Sequence, residues 1–102
     1  MTTRNKFARL NDAIFPMISC LVPSVLPQGR REGHYWVALN PTRADRTPGS
    51  FKINMHNGRW ADYATGDSGG DLISLAAYLY GMRQGDAADY IAKLAGVAAN
   101  DN

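Results

Sequence analysis

Apolar residues near the start of the chain recur at intervals of three and four, which is typical of one face of a helix. This spacing predicts an N-terminal helical segment within residues 1–27. Pro16 either kinks this helix or lies in the first turn of a second, shorter one. We expect Pro23 and Pro27 to end the helical structure. The apolar stripe consists of Phe7, Leu10, Ile14, Met17, Ile18 and Leu21.

Residues 34–39 alternate in the way that a short β-strand does. Tyr35, Val37 and Leu39 share one side of this strand, and we expect that side to face the core. Trp36 lies on the opposite side, which makes it the tryptophan expected to be exposed.

Residues 50–55 give the clearest strand pattern, with Lys52 on the solvent side. Asn57 and Gly58 follow it and predict a type I′ hairpin turn, because both residues tolerate a positive φ angle. Residues 59–63 form the returning strand. The inward residues of the first hairpin strand are Phe51, Ile53 and Met55.

A helical pair is predicted within residues 71–96. Asp71 is suited to cap the N-terminus of the first helix, and Gly81 ends it. The second helix runs from about residue 84 to 95, with Gly96 as its C-terminal cap.

These elements predict an α+β fold: a three-stranded antiparallel sheet over 34–63, flanked by an N-terminal helix and two C-terminal helices. The length of 102 residues fits one domain over 1–102. The single cysteine, Cys20, excludes an internal disulfide and is expected to be a buried small hydrophobe. No apolar run is long enough to span a bilayer and no secretory segment is evident, so we expect a cytoplasmic protein without membrane contact.

The formal net charge of +2 conceals an asymmetry along the chain. Residues 1–60 contain nine Lys and Arg against three Asp and Glu, whereas residues 61–102 contain two against six. A basic face of this kind is suited to meet a polyanion. An unevenly charged but merely solvated surface is the alternative.

The segment Gly66-Asp67-Ser68-Gly69-Gly70 reproduces the string around the nucleophilic serine of chymotrypsin-like proteases. Those enzymes need two β-barrels and a His base oriented by a buried Asp, which this chain is too short to provide. The segment is therefore interpreted as a tight bend before the helix that Asp71 caps, and the chain is expected to be non-catalytic.

Residues 40–96 resemble the N-terminal zinc-finger domain of bacterial-type DNA primases. In that family two metal-binding knuckles flank a hairpin. Here Asn40 and Pro41 stand at the first knuckle and residues 60–65 at the second, a loop and strand at 46–51 lie between them, and a Gly-Gly-Asp helix start follows at 69–75. It implies a zinc-ribbon-like sheet. It also extends to plasmid and phage primase–helicase proteins, in which a metal-free version of this module precedes a catalytic region.

The positions that carry zinc ligands in that family are occupied differently here. They are Asn40, Arg43 or its neighbours, Asp62 and Thr65. Asn and Thr are poor zinc ligands, and Arg cannot ligate at all. We therefore expect no metal and no other cofactor. Asn40, Asp62 and Thr65 are expected to form hydrogen bonds at the equivalent place.

The resemblance implies a module that binds DNA, with the single-stranded template as the expected form, in the replication of a mobile element. A protein-interaction module that docks onto a helicase or primase catalytic domain, or that self-associates, is the alternative. Single-strand binding needs cations along the backbone and aromatic faces for the bases. Trp60 and Tyr63 are aromatic candidates, although a core position is favoured for Trp60. The residues expected to contact nucleic acid are Arg30, Arg31, Trp36, Arg43, Arg46, Lys52 and Arg59.

Overall fold

The computed structural model describes residues 6–44 and 49–97. Within them, four α-helices accompany an antiparallel sheet, which confirms the α+β class. A 3-10 turn at Phe15–Met17 separates the first two helices. The helices are α1 (Lys6–Ile14), α2 (Ile18–Val25), α3 (Leu72–Tyr80) and α4 (Gln84–Ala95).

The prolines of the N-terminal segment act differently from one another. Pro16 lies in the 3-10 turn, so the segment is two helices with a break and not one continuous helix. The expectation that Pro23 ends the helix is wrong, because Pro23 lies inside α2, which continues to Val25. The helix ends before Pro27, where the backbone N–H of Leu26 still donates to Val22 O at 2.9 Å.

The prediction of three strands is wrong, because two further segments pair with the sheet. Its strands lie in sequence order and each pairs antiparallel with the next. The two additional strands, at the two edges, are short and lack the apolar alternation that identifies a strand in a sequence. The strands are β1 (Arg30–Glu32), β2 (Tyr35–Ala38), β3 (Phe51–Asn54), β4 (Trp60–Asp62) and β5 (Ser68–Gly69).

The register of β2 reverses the face that was expected to pack against the helices, although Val37 is buried as expected. Trp36 lies opposite Ile53, and Ala38 lies opposite Phe51, so these two residues of β2 share the face of the core. The prediction that Leu39 is inward is wrong, since its side chain is 37% exposed. β2 is apolar on both sides, and alternation alone therefore could not decide which side packs against the helices.

The hairpin between β3 and β4 exists, but its turn is not of type I′. Among the described residues only glycines have a positive φ, whereas a type I′ turn requires it at Asn57 as well. Asn54 N donates to Arg59 O at 2.7 Å, so four residues form the loop. The longer loop allows Met55 to stay buried, with its N–H donating to His34 O.

The helical pair closes the core as predicted. Asp71 caps α3, accepting from Ser74 N at 2.8 Å while Ser74 Oγ faces the Asp71 N–H. Gly81 and Gly96 take left-handed conformations at the ends of α3 and α4. The core joins residues from all four helices with the inner face of the sheet. Cys20, expected to be buried, is exposed.

Candidate nucleic-acid interface

The helices cover one face of the sheet. They do not cover the other face, although Val37 on that face is buried. On the covered face, the Trp60 indole N–H donates to Ser74 Oγ at 3.0 Å, and the rings of Phe51 and Tyr78 lie 6.3 Å apart. The residues between them along each strand point to the opposite side. This outer face carries Arg30, Glu32, Tyr35, Val37, Lys52, Asn54, Ala61 and Ser68.

The outer face contains an open groove of about 330 Å³ at the end near the hairpin. We call it the outer groove. The Tyr63 side chain is 70% exposed there, and Lys52 Nζ lies 6.0 Å from the centroid of the Tyr35 ring. The groove is lined by Tyr35, Lys52, Asn54, Asn57, Arg59, Trp60, Ala61 and Tyr63.

Lys52 and Arg59 give the outer groove a positive charge. None of its described lining residues is acidic. Across residues 6–44 and 49–97, neither cation forms an ion pair. Their charges are therefore available to an anion in the groove. The structure thus brings together two predicted contact residues that are seven positions apart in the sequence.

Arg30 and Arg31 lie on edge strand β1, at the far side of the same sheet. Arg30 faces outward opposite Val37, but its Nη2 lies 2.6 Å from the Glu32 carboxylate. Arg31 Nε donates to Gly33 O at 2.9 Å. The neighbouring carboxylate partly neutralises this end of the sheet, so the two arginines contribute less positive potential than the outer groove does.

Trp36 is the less buried of the two tryptophans, as expected, but it lies on the covered face of the sheet and not on the outer face. Its indole is half-buried, lies against Gly29, and donates from Nε1 to Leu26 O at 2.9 Å. The ring therefore joins the start of β1 to the end of α2, and it is not part of the outer face. Trp60 is a core residue, as favoured, with 5% of its surface exposed.

Arg43 is engaged inside the protein and does not line the outer groove. Its Nε donates to Asp62 Oδ2 at 2.9 Å, and its Nη2 to Asp62 Oδ1 at 3.3 Å and to Ser50 Oγ at 2.9 Å. The predicted role as a nucleic-acid contact gains nothing from this position. The guanidinium instead holds the loop after β2 against the end of β4.

Asp62 is the centre of a buried polar cluster. Its side chain is fully buried, and Asn40, 1% exposed, donates to Asp62 Oδ2 at 2.8 Å. Ala64 N donates to Asp62 Oδ1 at 2.9 Å. Asn40 also reaches α3, because its Nδ2 donates to Tyr78 Oη at 2.8 Å. Asn40, Arg43 and Asp62, which occupy three of the four positions singled out in the sequence, are therefore joined in space.

The fourth position departs from the expectation. Thr65 contacts Asp62 through its backbone, with Thr65 N donating to Asp62 O at 3.3 Å. Its side chain accepts from Asp67 N at 3.2 Å. The Asp67 carboxylate in turn accepts from Tyr78 Oη at 2.8 Å. This part of the glycine-rich segment is thus a structural bend.

The ionisation of Asp62 follows from these contacts. Burial of the carboxyl raises its pKa, but hydrogen bonds from Arg43, Asn40 and Ala64 N–H, together with the charge of Arg43, outweigh that effect. The pKa of Asp62 is therefore held well below its ordinary value. The carboxylate stays charged at neutral pH.

Several features were not anticipated from the sequence. The amides of Asn54 and Asn57 line the outer groove. His34 and His56 lie with their ring centroids 5.0 Å apart, although 22 positions separate them in the sequence. The sequence pattern indicated only a turn at Asn57, and its position two residues before Arg59 was the signal that could have placed it in the groove.

Arg46, the remaining residue expected to contact nucleic acid, lies outside the described residues.

The described residues contain neither a candidate metal site nor a membrane-spanning helix. Within 6–44 and 49–97, no group of three or more His, Cys, Asp and Glu side chains could hold a metal ion. In the same part of the chain, no helix has the length and apolar character to cross a bilayer. No protein-family model matches the sequence, and no curated protein matches it.

Proposed function

We propose that the outer groove binds single-stranded DNA, and that the chain is a non-catalytic, cytoplasmic module of a mobile-element primase or helicase system. The observation that carries the proposal is the groove itself, which is lined by the cations Lys52 and Arg59 together with the rings of Tyr35 and Tyr63. Cations attract the phosphates, and exposed aromatic faces stack with bases of any sequence.

The shape of the site supports a single strand over a duplex. The groove is an open surface on a sheet, and among the described residues no helix projects from the outer face into a position that would fit a major groove. Stacking on Tyr63 requires an unpaired base, because the bases of a duplex already stack on each other.

The likeness to a metal-free primase zinc-finger domain is part of the same proposal. Asn40, Arg43 and Asp62 form a hydrogen-bonded cluster at positions where that family has ligands. A cluster of this kind joins the two loops that a metal would join. Cooperative unfolding that is unchanged by a strong chelator is the expected result, and melting caused by the chelator would contradict it.

The test of the function is a titration of a fluorescently labelled oligo-dT strand, followed by anisotropy between 50 and 200 mM salt. We expect affinity to fall with salt, and the slope of log affinity against log salt to lose about 1.4 in Lys52→Ala/Arg59→Ala, which removes two phosphate contacts. No binding at 50 mM salt would overturn the proposal.

The matched control is Arg83→Ala/Lys93→Ala. It removes the same charge from residues that are exposed and lie outside the outer groove. Equal losses in both double variants would show attraction to overall charge only, and would contradict a site in the groove.

The alternative function is docking onto a helicase or primase catalytic domain, or self-association. An apolar groove of about 470 Å³ between α2, β2 and α3 bears on it, with Leu39 and Tyr80 exposed at its wall. Sedimentation equilibrium distinguishes self-association. A mass that rises with concentration and returns to the monomer value in Leu39→Glu would favour this alternative.

A further inference from the structure

We propose that the outer groove discriminates among bases and prefers those with a carbonyl, in place of an amino group, at C4 of a pyrimidine or C6 of a purine, which are thymine, uracil and guanine. The inference rests on the proposed function and concerns which single strands bind best. It comes from the orientation of two asparagine amides that the groove presents to a ligand.

The orientation of the Asn54 amide is fixed by its own loop. The backbone N–H of His56 donates to Asn54 Oδ1 at 2.8 Å. A backbone N–H can only donate, so the amide atom that faces it must be the oxygen. The NH₂ group of Asn54 therefore points away from this contact, and Asn54 lines the outer groove.

Asn57 is fixed in the same way. Arg59 N donates to Asn57 Oδ1 at 2.9 Å, which again engages the oxygen and leaves the NH₂ group. Within residues 6–44 and 49–97, neither NH₂ group has a hydrogen-bond partner. The two amides thus offer four N–H donors to a ligand, while each carbonyl already accepts a local hydrogen bond.

The groove is therefore rich in donors and poor in acceptors. Lys52 and Arg59 carry donors only, and the amides of Asn54 and Asn57 have their oxygens engaged. The hydroxyls of Tyr35 and Tyr63 are the lining side-chain acceptors that are not already engaged by the loop, and each can equally donate. A ligand edge made of acceptors is satisfied here, whereas an exocyclic amino group facing the amides would leave its donors unpaired.

In the proposed arrangement the amides face the C4 substituent of a pyrimidine or the C6 substituent of a purine, which is a carbonyl in some bases and an amino group in others. Uracil and thymine have a carbonyl at C4, and guanine offers O6 and N7 as adjacent acceptors. Cytosine and adenine have an amino group instead. Uracil and cytosine are of similar size and stack similarly, so a comparison of the two isolates the hydrogen-bonding difference from the stacking on Tyr63.

The experiment compares oligo-dU with oligo-dC of equal length, by competition against a labelled strand at fixed salt. We expect oligo-dU to bind about fivefold more tightly, the ratio that one additional hydrogen bond provides. Oligo-dC binding as tightly as oligo-dU, or more tightly, would overturn this inference and leave DNA binding intact. If neither strand binds, the proposed function itself fails.

The variant that tests the amides is Asn54→Asp, alone and with Asn57→Asp. Aspartate keeps an oxygen for the backbone N–H but replaces the two donors by an acceptor. Its charge weakens binding of every strand, so the ratio of the two affinities is the measurement. We expect the dU:dC ratio to fall to one or below.

The charge-matched control is Gln84→Glu, the same amide-to-carboxylate change at an exposed position outside the outer groove. It should leave the dU:dC ratio at its wild-type value. A preference for oligo-dU that survives in both asparagine variants would assign the discrimination to other groups and overturn the inference.

Discussion

Arg43 and Asp62 form a salt bridge of 2.9 Å across 19 positions of the sequence, with the Asp62 side chain fully buried and the Arg43 side chain 29% exposed. The pair joins the loop after β2 to the end of β4. Asn40 and Ala64 N–H supply the remaining donors, so every acceptor direction of the carboxylate is used. A charge that is buried with a complete set of partners is stable only while those partners remain.

Arg43→Ala is therefore expected to lower the free energy of unfolding by about 2–3 kcal/mol. The variant leaves a buried carboxylate with only neutral donors. The expected loss of unfolding free energy is smaller than for a fully buried pair because the Arg43 side chain is partly exposed. Urea denaturation measures it. Arg83→Ala, which removes an exposed contact to Asp86, should change stability by less than about 0.5 kcal/mol and serves as the control.

Acid should destabilise the fold through Asp62. Its pKa is lower in the folded protein than in the unfolded chain, so its contribution to stability is fully present above pH 4 or so and is lost as the pH falls toward the folded value. Urea denaturation at pH 6 and at pH 3 should show this loss. Asp62→Asn, less stable at pH 6, should lose less between the two; an equal loss would contradict the assignment.

Much of the fold could be predicted because its periodic segments are long enough to interpret. α3 and α4 begin and end near residues whose chemistry marks a boundary, such as Asp71 and Gly96. β1 and β5 could not be predicted, because three charged residues and a Ser-Gly pair have no pattern of their own. They become strands only because β2 and β4 offer unpaired backbone edges.

Part of the candidate site could be predicted because its residues lie close together in the sequence. Lys52 and Arg59 belong to one hairpin, and local alternation places Lys52 on the solvent side. Trp36 was misassigned because β2 is apolar on both sides, and its partner Leu26 lies on another element. The engagement of Arg43 with Asp62 could not be predicted, because a long-range contact leaves no mark in the charge pattern.

Gly69 allows the sheet to approach α3 closely. A Cβ at this position would overlap the Trp60 indole nitrogen and Ser74 Oγ, which form a hydrogen bond with each other. Gly69→Ala should therefore lower the melting temperature, at a cost of about 1–3 kcal/mol in unfolding free energy. Gly70→Ala is the control, because no atom lies within 4 Å of its added Cβ, and it should be neutral or stabilise by up to about 1 kcal/mol.

Alkaline pH should destabilise the fold through ionisation of Tyr80. The hydrogen bond with Tyr90, whose Oη lies 3.3 Å away, is the main cause that raises the pKa of Tyr80 to about 12, and the partial burial of this half-exposed ring adds to it. Stability from this shift is present below the unfolded pKa of about 10 and is lost as the pH rises toward 12. In an absorbance titration at 295 nm, the late-titrating component should disappear in Tyr80→Phe and move to lower pH in Tyr90→Phe. A late component that survives Tyr80→Phe would assign it elsewhere.

Substitutions of Tyr63 distinguish the contribution of base stacking from that of charge in the outer groove. The ring is 70% exposed on the described surface, so its removal should cost little stability. If a base stacks on it, Tyr63→Leu should weaken oligo-dT binding by roughly 1–3 kcal/mol at every salt concentration. The salt slope should not change, because the slope counts phosphate contacts and the variant removes none.

Tyr63→Phe keeps the aromatic face and should bind as the wild type does. Weakening in Tyr63→Phe equal to that in Tyr63→Leu would mean that the hydroxyl, and not the ring, makes the contact.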